Sequence, residues 1–279
     1  MLNKIFWTWV FIGVILISAA ADEVVKVTLF DRSGGGMGLQ SFFSNAFKGG
    51  KVKLPQDMEI TVQKNGLPEN TQSTAVCVID EDFAPVLPEY KGCTAVEYAV
   101  VPVVIAVSAE NPLENLNVSD LKRIYSGRLT DWKALGGSGS VRLAGMPFNS
   151  PQGRIFRKTV MQQDLFSSKA LVPGSEIVPD MFVCPTVEVC EGILNTLPNA
   201  IVFGSWQLVA GNNKKGYKLL KINNVEPDAK NVLNGRYPLT VRHRIRFLSA
   251  GHGTYSSAII NFLRCSAVEA GLAPEKKEN

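Results

Sequence analysis

The stretch at residues 111–137 reads NPLENLNVSDLKRIYSGRLTDWKALGG, and it decides the fold class of this chain. It follows an apolar run at residues 100–107, which is typical of a buried strand. Ser119 is a candidate N-cap for a helix, and Gly127 is a candidate end of the same helix. Helical spacing predicts that one side of it is buried, formed by Leu121, Ile124 and Tyr125.

The order of features in this stretch is similar to that of a known family. An Asn-Pro pair, a short helix ending in glycine, then Trp132 and the pair Gly136-Gly137 follow one another at its spacing. The chain therefore resembles the phosphate-type substrate-binding proteins of ABC importers. Two later segments fit as well: residues 199–204 read as a strand ending in glycine, and residues 235–239 (GRYPL) precede a basic strand.

The rest of the chain alternates short apolar runs with helical periodicity, which indicates the α/β class. The resemblance implies the two-lobed, type II periplasmic-binding-protein-like fold, with a ligand cleft between lobes joined by two crossing strands. Mapped on this chain, residues 1–21 are a signal peptide, 22–107 with 205–279 form lobe one, and 108–204 form lobe two. The crossings are expected near 103–108 and 202–208.

A first candidate binding loop lies between the predicted strand at residues 24–30 and a helix with an apolar stripe. Its glycines allow backbone N–H groups to approach a ligand closely, and the helix start adds a partial positive charge. We therefore expect an oxyanion to contact Ser33, Gly34, Gly35 and Gly36. The alternative is a flexible connector between strand and helix.

A second loop repeats the same arrangement, because a strand at residues 141–145 leads through small polar residues into a helix. The resembled family has an Arg, a spacer and then Ser-Gly-Thr-Arg at this place. The resemblance implies that the ligand-binding residues here are Ser150, Gln152, Gly153 and Arg154. The alternative is an ordinary capped helix with a solvent-facing Arg154.

The chain departs from the family pattern at the upstream arginine, where residues 146–148 read Met-Pro-Phe. A guanidinium is a strong partner for phosphate, so Arg154 or Arg32 takes its place, or the ligand is not phosphate. The family also commonly uses an Asp to accept a hydrogen bond from a protonated phosphate oxygen. Asp80 and Asp82 are candidates, with solvated loop charges as the alternative.

Composition limits the remaining possibilities. With 279 residues, 46% hydrophobic and 19% charged, the chain is able to build two cores. A net charge of +4 suits a small anion but is too weak for nucleic acid. Two histidines and no CxxC motif make a metal site improbable, and no cofactor is expected. Enzyme signatures are few in the sequence, and a hydrolase using Ser33 or Ser150 is disfavoured because neither serine has an evident base.

The first 21 residues predict export. Lys4 precedes an apolar run at residues 5–17 and a small-residue segment at 18–21, which is typical of a cleaved signal peptide. An uncleaved anchor is the alternative, although the run is short for a membrane span. We therefore expect a periplasmic or extracellular protein.

Five cysteines remain in the exported part. In an oxidising compartment they allow two disulfides and one free thiol. Cys184 with Cys190 is the first candidate pair and Cys77 with Cys93 the second, while buried free thiols are the alternative.

The sequence predicts a monomeric solute-binding protein, not an enzyme, that captures a small inorganic anion, phosphate first, for an ABC permease in the inner membrane. Two alternatives stay open. One is another ligand, such as sulfate, molybdate or an organic acid. The other is a periplasmic sensor or adhesion module that kept the fold without transport.

Overall fold

The computed structural model describes residues 25–31, 58–64, 75–81, 93–163, 177–178, 180–210, 216–248 and 256–269. The predicted signal peptide, the first glycine loop and its following helix, Arg32 and Asp82 lie outside the described residues. Among the described residues, no helix is long and apolar enough to cross a membrane.

Strands and helices alternate along the described chain. The strands are β1 (Val25–Asp31), β2 (Met58–Lys64), β3 (Ala75–Glu81), β4 (Ala95–Pro102), β5 (Val104–Ser108), β6 (Asn115–Leu116), β7 (Arg142–Gly145), β8 (Phe182–Val183), β9 (Ala200–Gly204), β10 (Tyr217–Leu219), β11 (Lys221–Ile222) and β12 (Thr240–Phe247). The α-helices are α1 (Val118–Tyr125), α2 (Pro151–Thr159), α3 (Val187–Thr196), α4 (Gln207–Ala210), α5 (Ala229–Leu233) and α6 (Ser256–Glu269), and a 3₁₀ helix spans Trp132–Leu135.

Two five-stranded sheets organise these elements. The first has the strand order β2-β1-β3-β12-β4, with β1 parallel to β2 and β3 and with β12 antiparallel to β3 and β4. The second has the order β10-β5-β9-β7-β8, with β7 parallel to both β8 and β9. The strand that the sequence predicted at residues 24–30 lies in the first sheet as β1.

The apolar run at residues 100–107, predicted as one strand, is two strands in two sheets. Strand β4 ends at Pro102, and β5 begins at Val104 in the second sheet. Proline has no N–H to donate to a ladder, which favours the break at this point. The N–H of Val103 instead donates to the carbonyl of Leu239 at 2.7 Å. The first crossing therefore lies at Val103, the beginning of the predicted range.

The return crossing lies later than the sequence predicted. Strand β10 (Tyr217–Leu219) pairs antiparallel with β5 and therefore still belongs to the second sheet. The chain rejoins the first sheet only at β12 and thus crosses after Leu219, not near residues 202–208. A second lobe limited to residues 108–204 would leave out one strand of its own sheet.

The segment at residues 111–137 folds into α1 and the 3₁₀ helix, with one correction. The residue before α1 is Asn117 rather than Ser119, and its N–H donates to the Asp120 carboxylate at 3.4 Å. An acidic side chain at the third helical position suits the positive end of the helix, which explains the earlier start. The predicted apolar face is confirmed, because Leu121, Ile124 and Tyr125 are fully buried.

Trp132 joins this segment to the second sheet. Its side chain is fully buried, and its indole N–H donates to the carbonyl of Asn199 at 3.0 Å. Gly136 has a φ of 89°, the left-handed conformation that favours glycine at the end of a helix. The Trp and Gly positions of the motif therefore have a packing role on the second sheet.

Candidate functional site

Three parallel strands of the second sheet end at a common edge. Gly145 of β7 lies opposite Val183 of β8 and Phe203 of β9. The pairing continues past the strands, because the N–H of Met146 donates to the Phe203 carbonyl at 3.1 Å. In α/β sheets, ligands bind in the crevice outside the carboxyl ends of the strands. This edge, with the loops that follow β7, β8 and β9, is therefore the candidate site.

The loop after β7 is held together by the Ser150 hydroxyl. Its Oγ donates to the carbonyl of Pro147 at 2.6 Å and accepts from the N–H of Gly153 at 3.1 Å. The backbone N–H of Ser150 also donates to the Pro147 carbonyl, at 2.9 Å. Ser150 is thus the N-cap of α2, and its only proton is already committed inside the loop.

The first turn of α2 is enclosed on all sides. Pro151, Gln152 and Gly153 are all buried, although successive helical residues point about 100° apart. A Cβ on Gly153 would lie 2.2 Å from the Pro147 carbonyl oxygen and 2.7 Å from the Phe148 Cα, so only glycine fits there.

Electrostatics at this helix start favour an anion. The start of a helix carries a partial positive charge, and acidic residues commonly occupy the first turn. The first turn of α2 has no acidic residue. Arg154 adds a positive charge beside it, and its Nη1 donates to the carbonyl of Asn149 at 2.7 Å, which folds the side chain back over the loop.

Helix α2 contacts β9 of the second sheet and β12 of the first. The helix therefore lies where the two sheets meet, which is where a ligand cleft between lobes is expected.

Met146 is the first of residues 146–148, which occupy the place of the upstream arginine of the resembled family, and it belongs to the core. Its side chain is 2% exposed, and its Sδ lies 3.9 Å from the Sγ of Cys190. The described part of the loop, residues 146–154, thus carries a single charged residue, Arg154.

The cysteines near this edge are not bridged. All five cysteines are free thiols, so neither predicted disulfide is formed in the structure. Cys184 and Cys190 contact each other through a hydrogen bond, which lowers the pKa of Cys184; the same bond, followed by burial, raises the pKa of Cys190. The pair therefore packs as two buried thiols beneath the Gly145–Met146 segment, and the N–H of Cys184 donates to the Gly145 carbonyl at 2.8 Å.

The structure brings together half of the predicted ligand-binding residues. Those of the second loop (Ser150, Gln152, Gly153 and Arg154) form the start of α2. Those of the first loop (Ser33, Gly34, Gly35 and Gly36) lie outside the described residues, and Asp80 lies in β3 next to Glu81, its last residue.

Ser205 is a polar residue that the sequence analysis missed at this edge. It is 2% exposed and follows Gly204, where β9 ends. Its Oγ accepts from the N–H of Gln207 at 3.4 Å. A serine directly after a strand-ending glycine was the available signal.

Buried apolar residues and His243 alternate with arginines along β12. Val241, His243 and Ile245 are buried, while Arg242 is exposed and pairs with Glu97 at 3.0 Å. Burial lowers the pKa of His243 to about 4. His243 is therefore a neutral core residue at neutral pH.

Comparisons with known proteins agree with this architecture. A family model described as a PBP superfamily domain matches residues 78–263. The phosphate-binding protein PstS of Bacillus subtilis (strain 168) is 26% identical over 144 residues, which are 51% of this chain. The match spans 43% of that relative's length.

Two solved structures share the fold. An ABC-type phosphate transport receptor from Vibrio cholerae superposes with a TM-score of 0.61 at 18% identity, covering 90% of this chain and 100% of that chain. PstS from Borrelia burgdorferi gives a TM-score of 0.62 at 12% identity, covering 91% and 100%. The predicted two-lobed α/β fold is thereby confirmed.

Proposed function

The chain belongs to the family of PBP superfamily domains, and on this premise we propose that it is an exported solute-binding protein for a small oxyanion, phosphate first. The observation that carries the proposal is the enclosed start of α2, which has no acidic residue in its first turn and has Arg154 beside it. Buried helix starts bind anions through their unpaired N–H groups and their partial charge. The similarity to phosphate-binding proteins supports phosphate as the first ligand to test.

The roles within the second loop are unequal. Gly153 N–H and the Ser150 hydroxyl are engaged with each other, and the N–H of Arg154 donates to the Ser150 carbonyl at 2.9 Å. Pro151 has no N–H. The groups proposed to contact an anion are the backbone N–H and side chain of Gln152 and the guanidinium of Arg154, whose Nη1 also donates to the Asn149 carbonyl. Ser150 and Gly153 then act by shaping the loop.

Capture is physical and breaks no bond. The anion is held at the edge of the second sheet, and Ser33 with the three glycines that follow it would approach from the first lobe. Contact with both lobes couples binding to closure, since a ligand shifts an equilibrium only by its differential affinity for the two states. The closed protein, a monomer, then delivers its ligand to an ABC permease in the inner membrane.

Titration calorimetry of the exported protein with phosphate, sulfate and molybdate tests the ligand. We expect phosphate to bind and Arg154→Ala to weaken binding at least about tenfold, because a charge-assisted hydrogen bond is lost. The matched control is Arg157→Ala, on the same helix but bonded to Gln163 at 2.8 Å beyond its end. Absence of binding for all three anions would contradict the proposal, and tighter sulfate or molybdate binding would reassign the ligand.

Export and transport require separate measurements. N-terminal sequencing of the secreted or periplasmic protein is expected to begin at Asp22, after the small-residue segment. Phosphate uptake by cells that lack the gene is expected to fall if the protein serves a permease. Normal uptake together with tight phosphate binding would instead favour the sensor alternative.

A further inference from the structure

Two cysteines contact each other beside the second sheet. Cys184 follows β8, Cys190 lies in the first turn of α3, and both side chains are fully buried. The S–H of Cys190 donates a hydrogen bond to the sulfur of Cys184, which holds the pKa of Cys184 below its usual value. The anion site proposed above uses neither thiol. Two thiols that are already in contact are placed for a disulfide between them.

Hydrogen bonds of the backbone hold this contact in place. The N–H of Cys184 donates to the Gly145 carbonyl at 2.8 Å, and the N–H of Cys190 donates to the Thr186 carbonyl at 3.3 Å. Helix α3 also contacts β7. Both ends of the segment at residues 184–190 are therefore anchored, with the two sulfurs in contact between them.

The other predicted disulfide is excluded by the order of strands in the first sheet. Cys77 lies in β3, opposite Phe247 of β12. Cys93 precedes β4 on the other side of β12, and its carbonyl accepts from Nη1 of Arg246 at 3.4 Å. Strands β3 and β4 are separated by two strand spacings, about 9–10 Å. A disulfide needs Cα atoms within about 7 Å, so Cys77 and Cys93 cannot bridge each other.

We propose that Cys184 and Cys190 form a disulfide in the exported protein, by exchange with a disulfide oxidant such as oxidised glutathione. This inference rests on the export part of the proposed function, which places the chain in an oxidising compartment. The Cys184 thiolate attacks one sulfur of the oxidant and releases one thiol. Cys190 then loses its proton and attacks the Cys184 sulfur, which releases the second thiol. Two protein thiols become one disulfide, and the oxidant is reduced to two thiols.

The short strand β8 gives the oxidant a route to the buried thiols. It has two residues, it is the last strand in the order of the second sheet, and Phe182 and Val183 are 51% and 53% exposed. Segments with so little burial open at a low free energy, so exchange does not require global unfolding. The disulfide would then lie next to Met146, whose Sδ is 3.9 Å from the Sγ of Cys190, at the start of the candidate binding loop.

Mass spectrometry of the exported protein tests the bond directly. The protein is exposed to a glutathione redox buffer, both folded and during refolding from urea, and free thiols are alkylated before trypsin digestion. The tryptic peptide at residues 170–214 contains Cys184 and Cys190 and no other cysteine. We expect it to be two hydrogens lighter than its reduced form and to carry no alkyl group. Cys77→Ser is the matched control and should leave this peptide oxidised.

Thermal unfolding measures what the bond contributes. A disulfide that closes a ring of seven residues should raise the melting temperature of the wild type by about 5–9 °C over the reduced protein. The double variant Cys184→Ser, Cys190→Ser should show no such difference between oxidising and reducing buffer. An equal rise in the double variant would assign the stabilisation to other cysteines and overturn the inference. If the double variant does not fold, the peptide mass of the wild type decides the case.

The remaining outcomes separate this inference from anion binding. Two alkylated cysteines in the peptide after both treatments would overturn the disulfide, and so would a bond from Cys184 to any other cysteine. Phosphate binding by a protein without the bond would overturn this inference alone. A disulfide in a protein that binds no anion would overturn the proposed ligand and leave this inference in place.

Discussion

Replacing Ser150 with alanine separates a structural role from a ligand contact. The change removes the N-cap acceptor for the Gly153 N–H, worth about 1 kcal/mol. It also removes the hydrogen bond to the Pro147 carbonyl, worth about another 1 kcal/mol. Because Ser150 is 2% exposed, water does not easily replace either bond. We expect the free energy of unfolding to fall by about 2 kcal/mol and the melting temperature by roughly 4–8 °C.

Urea unfolding and phosphate titration of the same preparations provide the assay. If the role of Ser150 is structural, Ser150→Ala lowers the free energy of unfolding, while phosphate affinity falls less than about tenfold because no direct contact with the ligand is removed. Ser150→Thr is the control, since threonine keeps the hydroxyl and caps helices nearly as well. Unchanged stability combined with a loss of phosphate affinity beyond tenfold would refute the reasoning, because it would make the hydroxyl a ligand contact.

Three further predictions concern the loop, a buried histidine and the thiols. Gly153→Ala would place a Cβ 2.2 Å from the Pro147 carbonyl oxygen, so we expect the free energy of unfolding to fall by at least about 2 kcal/mol and phosphate to bind more weakly. A variant with wild-type stability and wild-type phosphate affinity would contradict this packing. Burial lowers the pKa of His243 to about 4, below its unfolded value of about 6.5, so unfolding takes up a proton between these values. The contribution of His243 to the free energy of unfolding is therefore greatest above about pH 6.5. As the pH falls to about 4, the wild type should lose about 3 kcal/mol of free energy of unfolding relative to His243→Gln. If urea unfolding gave the two proteins the same pH dependence of stability, this prediction would be wrong. In the reduced native protein a thiol reagent should modify exposed Cys265 rapidly and leave the buried Cys77, Cys184 and Cys190 unmodified until unfolding, as read by mass spectrometry; fast labelling of a buried thiol would contradict the fold.

Hydrophobic periodicity predicted those elements that have one buried face and one solvent-exposed face. Helix α1 is an example, because Leu121, Ile124 and Tyr125 repeat at helical spacing and are all buried. The run at residues 100–107 lacks this contrast. Residues 101–107 are buried in both sheets, so the apolar pattern by itself did not show that the chain changes sheets at Val103, and Pro102 was the available signal.

Some features of the candidate site could be predicted from the sequence, and others could not. A serine followed by proline before a helical pattern identifies an N-cap from sequence alone, and Ser150 is one. The environment of Gln152 was not predictable, because its burial depends on what surrounds the helix start rather than on neighbouring residues. Met146 shows the converse: the absence of an arginine was visible in the sequence, but its place in the core, against Cys190, required the structure.

The most direct test is a crystal structure of the exported protein grown with phosphate. An anion within hydrogen-bond distance of the Gln152 backbone N–H, beside Arg154 at the start of α2, is the predicted result. Phosphate bound elsewhere, with the α2 start enclosed and empty, would contradict the account.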